Sequence, residues 1–179
     1  MTDVTLKSNT ITLNLKQINL SAVQNKFTLG NIENNEPQAV CPPELLNEIK
    51  DKYGYDRIKF CIRSEKVTNI VDGLLVSAFF TDNAGNVLHL TGLDTPVRLF
   101  IPVTDDTKHI PKWHDAAQGI WRLDGIFDIE TSKDLSVAFS VNHLTDFALF
   151  VSAEPEIKEE RSDTNTGSSS SSCFINTLF

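Results

Sequence analysis

The sequence has no apolar run of the length that a membrane helix requires. Such a helix needs about 20 consecutive apolar residues, and the longest candidate, residues 70–80, is interrupted by Asp72 and Gly73. Residues 1–7 also lack the apolar core of a secretory signal. We therefore expect a water-soluble chain, which would be a fragment if its parent is secreted or membrane-bound.

Basic residues and cysteines are also scarce. The chain carries 16 Lys and Arg against 24 Asp and Glu, a net charge of −8. Binding to a phosphate backbone needs clustered Lys and Arg, so a nucleic-acid partner is excluded. The three cysteines, Cys41, Cys61 and Cys173, match neither a disulfide framework nor a zinc pattern. We expect Cys41 and Cys61 to be buried thiols, although a bond between them stays open.

The familiar catalytic and metal-binding motifs are missing as well. The sequence contains no Gly-rich phosphate loop and no Gly-x-Ser-x-Gly. His89, His109 and His114 are not grouped at ligand spacing, so they are interpreted as surface residues. Asp105 and Asp106 are interpreted as part of a solvated acidic loop. We expect neither a cofactor nor a metal.

What is present is mainly a period of two. Ile11, Leu13 and Leu15 alternate with polar residues, which predicts a half-buried strand. Turn residues at 82–86 between two apolar runs predict a hairpin. The further predicted strands are residues 59–62, 74–80, 87–90, 97–101, 135–141 and 147–151.

One segment has helical spacing instead. Residues 42–50 place Leu45, Leu46 and Ile49 on one face, with proline in the first turn, where it is tolerated. Several strands and one helix predict a mainly β fold, a twisted β-sandwich with a short helix. Residues 162–172 are Ser, Thr, Asn, Asp and Gly alone, a composition typical of disorder. We therefore divide the chain into a domain at 3–152 and a disordered tail or linker at 153–179.

A candidate reactive site lies before the last predicted strand. His143 stands two residues before Thr145, and a kink at Leu144 would bring the imidazole within reach of the hydroxyl. Neutral histidine is well suited to accept that proton near pH 7. The activated oxygen would attack the Leu144 carbonyl and form an ester, which water then hydrolyses. On the tripeptide alone, however, a purely structural histidine is the more common explanation.

The surrounding residues give that tripeptide a context. Residues 110–151 resemble the GPCR proteolysis site motif of adhesion receptors and polycystin-like proteins. The family's order of Trp, Gly-x-Trp, Gly and His-Leu-(Ser/Thr)-x-Phe-Ala is matched by Trp113, Gly119, Trp121, Gly125, His143, Leu144, Thr145 and Phe147. The chain has two tryptophans, and both fall on this motif.

The resemblance extends upstream. Residues 39–46, 90–97 and 4–30 are similar to other segments of subdomain B of a GAIN domain, whereas the helical subdomain A is not represented. The resemblance implies self-cleavage in cis between Leu144 and Thr145 by an N-to-O acyl shift, with His143 assisting. It also implies that the cleaved C-terminal strand stays bound and can act as a tethered agonist. The location implied is the extracellular face of a membrane protein, before a transmembrane region of the parent.

The sequence departs from the family at its four motif cysteines. These positions hold Ile110, Ile126, Phe139 and Val141. We expect these four side chains to be buried and clustered in two neighbouring spots, because they replace bridged residues. Loss of two disulfides removes a common source of stability, so enforcement of a strained turn is left open.

Two other functions remain open from the sequence. One is a structural or adhesion domain that keeps the fold without cleaving. The other is an intracellular relative, similar to the UPA-type autoproteolytic modules of death-domain proteins, which would account for the missing cysteines. In all three cases we expect residues 145–151 to form a central buried strand, with Trp113 and Trp121 bracing the turn before it.

Overall fold

Two antiparallel sheets packed face to face form the molecule, which confirms the predicted β-sandwich with a short helix. The computed structural model describes residues 3–22, 25–68, 73–90, 92–132 and 135–151. Within these ranges the strands and the α-helix are β1 (Asp3–Lys7), β2 (Ile11–Asn19), β3 (Phe27–Leu29), β4 (Gln38–Cys41), α1 (Pro43–Tyr53), β5 (Arg57–Lys66), β6 (Leu74–Thr81), β7 (Val97–Pro102), β8 (His109–Asp115), β9 (Ile120–Arg122), β10 (Ile126–Ser132), β11 (Ser136–Val141) and β12 (Asp146–Val151). Two 3-10 turns, Leu20–Ala22 and Ile32–Asn34, complete the described elements.

The two sheets differ in size. The large sheet has the order β1-β2-β5-β6-β12-β8-β9, and the small sheet has the order β10-β11-β7-β4-β3. The last strand, β12, lies between β6 and β8, with Phe147 opposite both Val76 and Trp113. The prediction that residues 145–151 form a central buried strand is therefore confirmed for the position of β12 and only in part for its burial, since Phe147, Ala148 and Leu149 are buried whereas Val151 is 47% exposed.

The core lies between the two sheets. Aromatic side chains cross it: the Phe139 and Phe147 rings lie 5.7 Å apart, and the Phe27 and Phe60 rings lie 5.9 Å apart. All four side chains belong to the buried core. Burial of a large apolar side chain is worth about 1.5–3 kcal/mol, so these contacts hold the sheets together without a disulfide.

The predicted helix is also confirmed. α1 buries Leu45, Leu46 and Ile49, the three residues at helical spacing. It ends where Gly54 adopts a left-handed φ of 74° and donates its backbone N–H to the Lys50 carbonyl. This is the usual glycine-terminated end of a helix.

Two predicted strands need correction. The predicted strand at 59–62 is longer, because β5 pairs along its whole length with β2 and β6. The predicted strand at 87–90 is wrong, since its one strand contact is a bridge between Thr81 and Val87. After this bridge, the chain turns inward and buries Leu90 against the core.

Some of the remaining sequence predictions concern residues that the structure describes, and others concern residues outside that part of the chain. Cys41 and Cys61 are free and buried, as predicted, and burial raises the pKa of the Cys61 thiol to about 11. Cys173 and the predicted tail at 153–179 lie outside the described residues. Across the described ranges, no helix combines the length and the apolar character that a membrane crossing requires.

Candidate functional site

The predicted cleavage turn connects the two sheets. β11 ends at Val141 in the small sheet and β12 begins at Asp146 in the large sheet. Residues 142–145 therefore cross one end of the sandwich, between two strands that are paired on both sides. Both ends of the turn are held by the fold, as a self-cleaving turn would need.

Aromatic side chains surround the His143 ring. The Trp113 ring meets it edge to face, with centroids 4.7 Å apart, and the Phe147 ring lies 6.2 Å away. Gly125 closes the third side, because an added Cβ there would lie 3.2 Å from the His143 Cε1 atom. Gly125 also has a φ of +78°, a backbone angle that residues other than glycine rarely adopt. The sequence-predicted residues Trp113, Gly125, His143 and Phe147 are thus brought together.

Trp113 is itself fixed on its strand. Its indole Nε1 donates a hydrogen bond of 2.6 Å to the Asp124 carbonyl. The Arg122 guanidinium lies over the Trp113 ring, 5.9 Å from the ring centroid. Trp113 therefore ties the β9–β10 turn to β8 and packs against His143, at the position next to the turn that was predicted for it.

Trp121 has a different position. Its ring packs against His114 at 5.1 Å and against Phe150 at 5.3 Å. Phe150 alternates with the core residues Phe147 and Leu149 along β12, so Trp121 covers the outer face of the large sheet. Trp121 therefore packs on the sandwich, as predicted, and is linked to the turn through His114, whose carbonyl accepts the Thr145 hydroxyl.

Gly119 shapes the hairpin that carries Trp121. It has a φ of +68° and donates its N–H to the Asp115 carbonyl at 2.7 Å. The Asp115 carboxylate accepts the Nε–H of Arg122 at 2.9 Å. Gly119 thus supports the β8–β9 hairpin and lies apart from the reactive residues.

The Thr145 hydroxyl is held by β8. Its Oγ1 donates to the backbone carbonyl of His114 at 3.3 Å. The Thr145 carbonyl accepts the N–H of Ala78 at 3.1 Å, and the next residue, Asp146, accepts the Ser77 hydroxyl at 2.5 Å. Thr145 is therefore fixed from both neighbouring strands, and its hydroxyl points to a carbonyl oxygen.

His143 and Thr145 are not joined by a hydrogen bond. Of the ring nitrogens of His143, Nδ1 lies 3.4 Å from the Asn142 Oδ1 atom, and Nε2 is buried without a partner. Burial lowers the pKa of His143, and the nearby Asp124 carboxylate raises it by a smaller amount. The net lowering favours the neutral ring near pH 7, which is the form that accepts a proton.

The turn also lacks one form of backbone strain. In the part of the chain that the structure describes, the non-glycine residues with left-handed φ are Asn35, Asp128 and Leu135. His143, Leu144 and Thr145 are not among them. Leu144 is partly buried against the core, so its side chain is packed and its φ is ordinary.

The four replaced cysteine positions agree with the prediction only in part. Ile126 and Val141 are directly opposite each other in the β10–β11 pair, so one cluster is confirmed. Phe139 faces the core, whereas Ile110 is half-buried and pairs with Phe150 on the outer face. The predicted second cluster and the predicted full burial of Ile110 and Ile126 are wrong, because β8 directs Ile110 away from the core.

The histidines outside the turn also need correction. His109 is 2% exposed, and its Nδ1 lies 2.7 Å from the Thr107 carbonyl, so the predicted surface position is wrong. His114 is half-buried, and His89 is exposed as predicted. Asp105 and Asp106 are exposed, as predicted for a solvated loop. No group of three His, Cys, Asp or Glu placed to hold a metal ion occurs in the described ranges.

Sequence reasoning missed two neighbours of His143. The Asn142 Oδ1 atom lies 3.4 Å from the Nδ1 atom of His143, and the Asp124 carboxylate raises the pKa of the His143 ring. Asn142 was detectable as the residue next to His143, but Asp124 could be found only once the β9–β10 turn was placed in space.

The comparison with known proteins found no match: no protein-family model matches this chain, and no curated protein matches it.

Proposed function

We propose that this chain is a GAIN-type module that cleaves itself between Leu144 and Thr145 and retains its C-terminal strand. The observation that carries the proposal is the buried Nε2 atom of His143, which has no hydrogen-bond partner. Buried polar atoms are nearly always bonded, so an unbonded imidazole nitrogen two residues before a threonine suggests a chemical role. The resemblance of residues 110–151 to the proteolysis motif supplies the reaction class.

The reaction is an acyl shift followed by hydrolysis. The Thr145 hydroxyl proton passes to Nε2 of His143 while Oγ1 bonds to the Leu144 carbonyl carbon. The resulting five-membered ring opens when the C–N bond breaks and the Thr145 nitrogen takes up the proton. The product is an ester with a free Thr145 amine. A water molecule then hydrolyses this ester, giving a Leu144 carboxylate and restoring the hydroxyl.

One contact must change before this reaction. The Thr145 hydroxyl has to leave the His114 carbonyl and turn towards His143. Its present hydrogen bond is 3.3 Å long, and a neutral hydrogen bond contributes only about 0.5–1.5 kcal/mol net. Leaving it therefore costs little compared with the barrier of amide cleavage.

The fold favours retention of the product strand. β12 keeps β6 and β8 as neighbours, and Phe147, Ala148 and Leu149 are buried in the sheet. Burial of the two large side chains contributes about 1.5–3 kcal/mol each. We propose that the partner of the domain is its own cleaved strand. By the same resemblance, this strand would be a tethered agonist for a downstream membrane region of an extracellular parent.

A second candidate function is a structural domain that does not cleave. Two observations favour it: the Thr145 hydroxyl is bonded to His114 and not to His143, and residues 143–145 have no left-handed φ. In this case the turn only connects the sheets, and His143 fills the space between Trp113 and Gly125.

Incubation of the purified chain near neutral pH separates the two functions. Self-cleavage gives two bands on a denaturing gel and a single species in native size-exclusion chromatography, because the strand remains in the sheet. His89→Ala serves as the matched control for changes at His143, since His89 is exposed and lies outside the turn. One intact band after days would support the non-cleaving domain.

A further inference from the structure

The two ring nitrogens of His143 have different surroundings. Nδ1 faces the side-chain oxygen of Asn142 at 3.4 Å, whereas Nε2 is buried without a partner. A neutral imidazole carries one proton, and the partner of one nitrogen decides which nitrogen keeps it. An amide oxygen only accepts hydrogen bonds, so it favours the proton on Nδ1.

Packing holds the ring in this orientation. An added Cβ at Gly125 would lie 3.2 Å from Cε1 and 3.5 Å from Nδ1 of His143, and 3.8 Å from the Asn142 Oδ1 atom. Gly125 thus lies against the edge of the ring that faces Asn142. Trp113 contacts the ring from a different direction, with the ring planes 71° apart. The absence of a side chain at position 125 therefore leaves room for both Asn142 and His143.

We propose that Asn142 is a positioning residue, whose side-chain carbonyl accepts the Nδ1–H of His143 and so leaves the lone pair on the buried Nε2. This inference rests on the proposed self-cleavage, because the lone pair on Nε2 is needed only if that atom takes the Thr145 proton. When Nε2 gains the proton, the ring becomes a cation that keeps its N–H on Nδ1. The Asn142 oxygen stabilises that N–H through the reaction.

A carboxylate would do the same with added charge. Asn142→Asp keeps an acceptor oxygen next to Nδ1 and adds a negative charge that favours the protonated ring. Asn142→Ala removes the acceptor and leaves the ring free to place its proton on either nitrogen. Asn142→Asp therefore keeps the Nδ1–H tautomer and Asn142→Ala releases it, and both variants alter little of the apolar packing, because Asn142 is exposed.

The first test is spectroscopic and does not depend on cleavage. Nitrogen NMR of ¹⁵N-histidine-labelled Thr145→Ala protein reports which His143 nitrogen carries the proton above its pKa. The expected result is the Nδ1–H form in this background, the same form with Asn142→Asp, and a shift towards the Nε2–H form with Asn142→Ala. Asn47→Ala, at an exposed position on α1, is the control and leaves the tautomer unchanged. An Nε2–H form in the parent, or no change with Asn142→Ala, overturns the assignment.

The second test measures cleavage in the chain with Thr145 present. Asn142→Ala is expected to slow cleavage by about 10–100-fold, the loss that is typical when the hydrogen-bond partner of a metal-ligating imidazole is removed. Asn142→Asp is expected to cleave at about the rate of the unmodified chain, with its pH–rate profile shifted to higher pH because the carboxylate raises the pKa of His143. If the parent never cleaves but shows the Nδ1–H form, the proposed function fails and the tautomer assignment stands. Cleavage that Asn142→Ala leaves unchanged overturns the positioning role alone.

Discussion

The loop before β8 and the turn before β12 each place a histidine two residues from a threonine, and the hydrogen bonding of the two pairs differs. In the loop before β8, the Thr107 hydroxyl lies 3.4 Å from Nε2 of His109 and donates to Asp105 at 2.6 Å. In the turn before β12, the Thr145 hydroxyl is directed to a carbonyl and Nε2 of His143 has no partner. The comparison shows that sequence spacing does not determine contact, because the backbone around each pair decides it.

The pair of Thr107 and His109, whose polar atoms have hydrogen-bond partners, has the features of a structural element. Nδ1 of His109 faces the Thr107 carbonyl at 2.7 Å, and the Thr107 N–H is bonded to Asp105. These bonds link the loop to the first residue of β8. The unsatisfied pair lies where the chain crosses between sheets, and there an unused nitrogen has a structural cost that a functional role would explain.

The largest expected effect is at the two threonines. Thr145→Ala removes the nucleophile and is expected to abolish cleavage, whereas Thr145→Ser keeps a hydroxyl and retains it. Thr107→Ala is the matched control and is expected to leave cleavage unchanged. A denaturing gel of the three variants distinguishes these outcomes. Cleavage that persists in Thr145→Ala would show that Thr145 is not the nucleophile.

Replacement of His143 is expected to change the cleavage rate, whereas replacement of His109 is expected to change the stability. His143→Ala should slow cleavage by about 10²–10⁴-fold, the usual contribution of a general base. His109→Ala should leave the cleavage rate alone and lower the free energy of unfolding by about 0.5–3 kcal/mol, because it removes a buried ring and its hydrogen bond to the Thr107 carbonyl. Cleavage time courses and urea unfolding measure the two effects. Equal effects of the two changes on rate would remove the distinction drawn between the two regions.

A smaller effect is expected at two glycines of the motif. Gly119→Ala and Gly125→Ala both place a side chain at a left-handed φ, which costs about 1–3 kcal/mol. At Gly119 the added Cβ meets nothing within 4 Å, whereas at Gly125 it lies 3.2 Å from His143. Only Gly125→Ala should therefore slow cleavage as well as lower stability. A slow rate in Gly119→Ala would mean that the hairpin as a whole controls the turn.

The smallest effect concerns pH. The pKa of His143 is lowered in the folded protein, so the unfolded chain binds a proton first as the pH falls. The free energy of unfolding of the Thr145→Ala protein should therefore decrease on going from about pH 7.5 to about pH 5.5, across the usual histidine value of about 6.5. Adding His143→Gln should reduce this decrease. An unchanged pH dependence would show that His143 does not contribute to it.

Much of the fold was predictable from periodicity, because its central elements are half-buried or fully buried in a regular way. Val97, Leu99 and Ile101 alternate in the sequence and all face the core in β7. The strand β10 was missed because it lies at a sheet edge, where Phe127 and Ile129 are exposed and the apolar pattern is weak. The prediction of a strand at 87–90 was wrong because the apolar side chain of Leu90 packs into the core and does not mark a residue paired in a sheet.

The candidate site was predictable in its residues but not in its geometry. The motif identified His143, Trp113 and Gly125, and these three lie together. It gave no indication that Thr145 is bonded to the carbonyl of His114, since a backbone contact across strands depends on register and not on residue type. For the same reason, Ile110 was predicted to be buried, although it is half-buried and pairs with Phe150 on the outer face of the large sheet.

The most direct test of self-cleavage is the intact mass of the unmodified chain under denaturing conditions, after incubation near neutral pH. The account predicts two masses that sum to the full chain plus one water, the smaller of them beginning at Thr145. The same sample of Thr145→Ala should give one mass. A single full-length mass for the unmodified chain over several days would contradict the central claim and leave a β-sandwich that does not cleave.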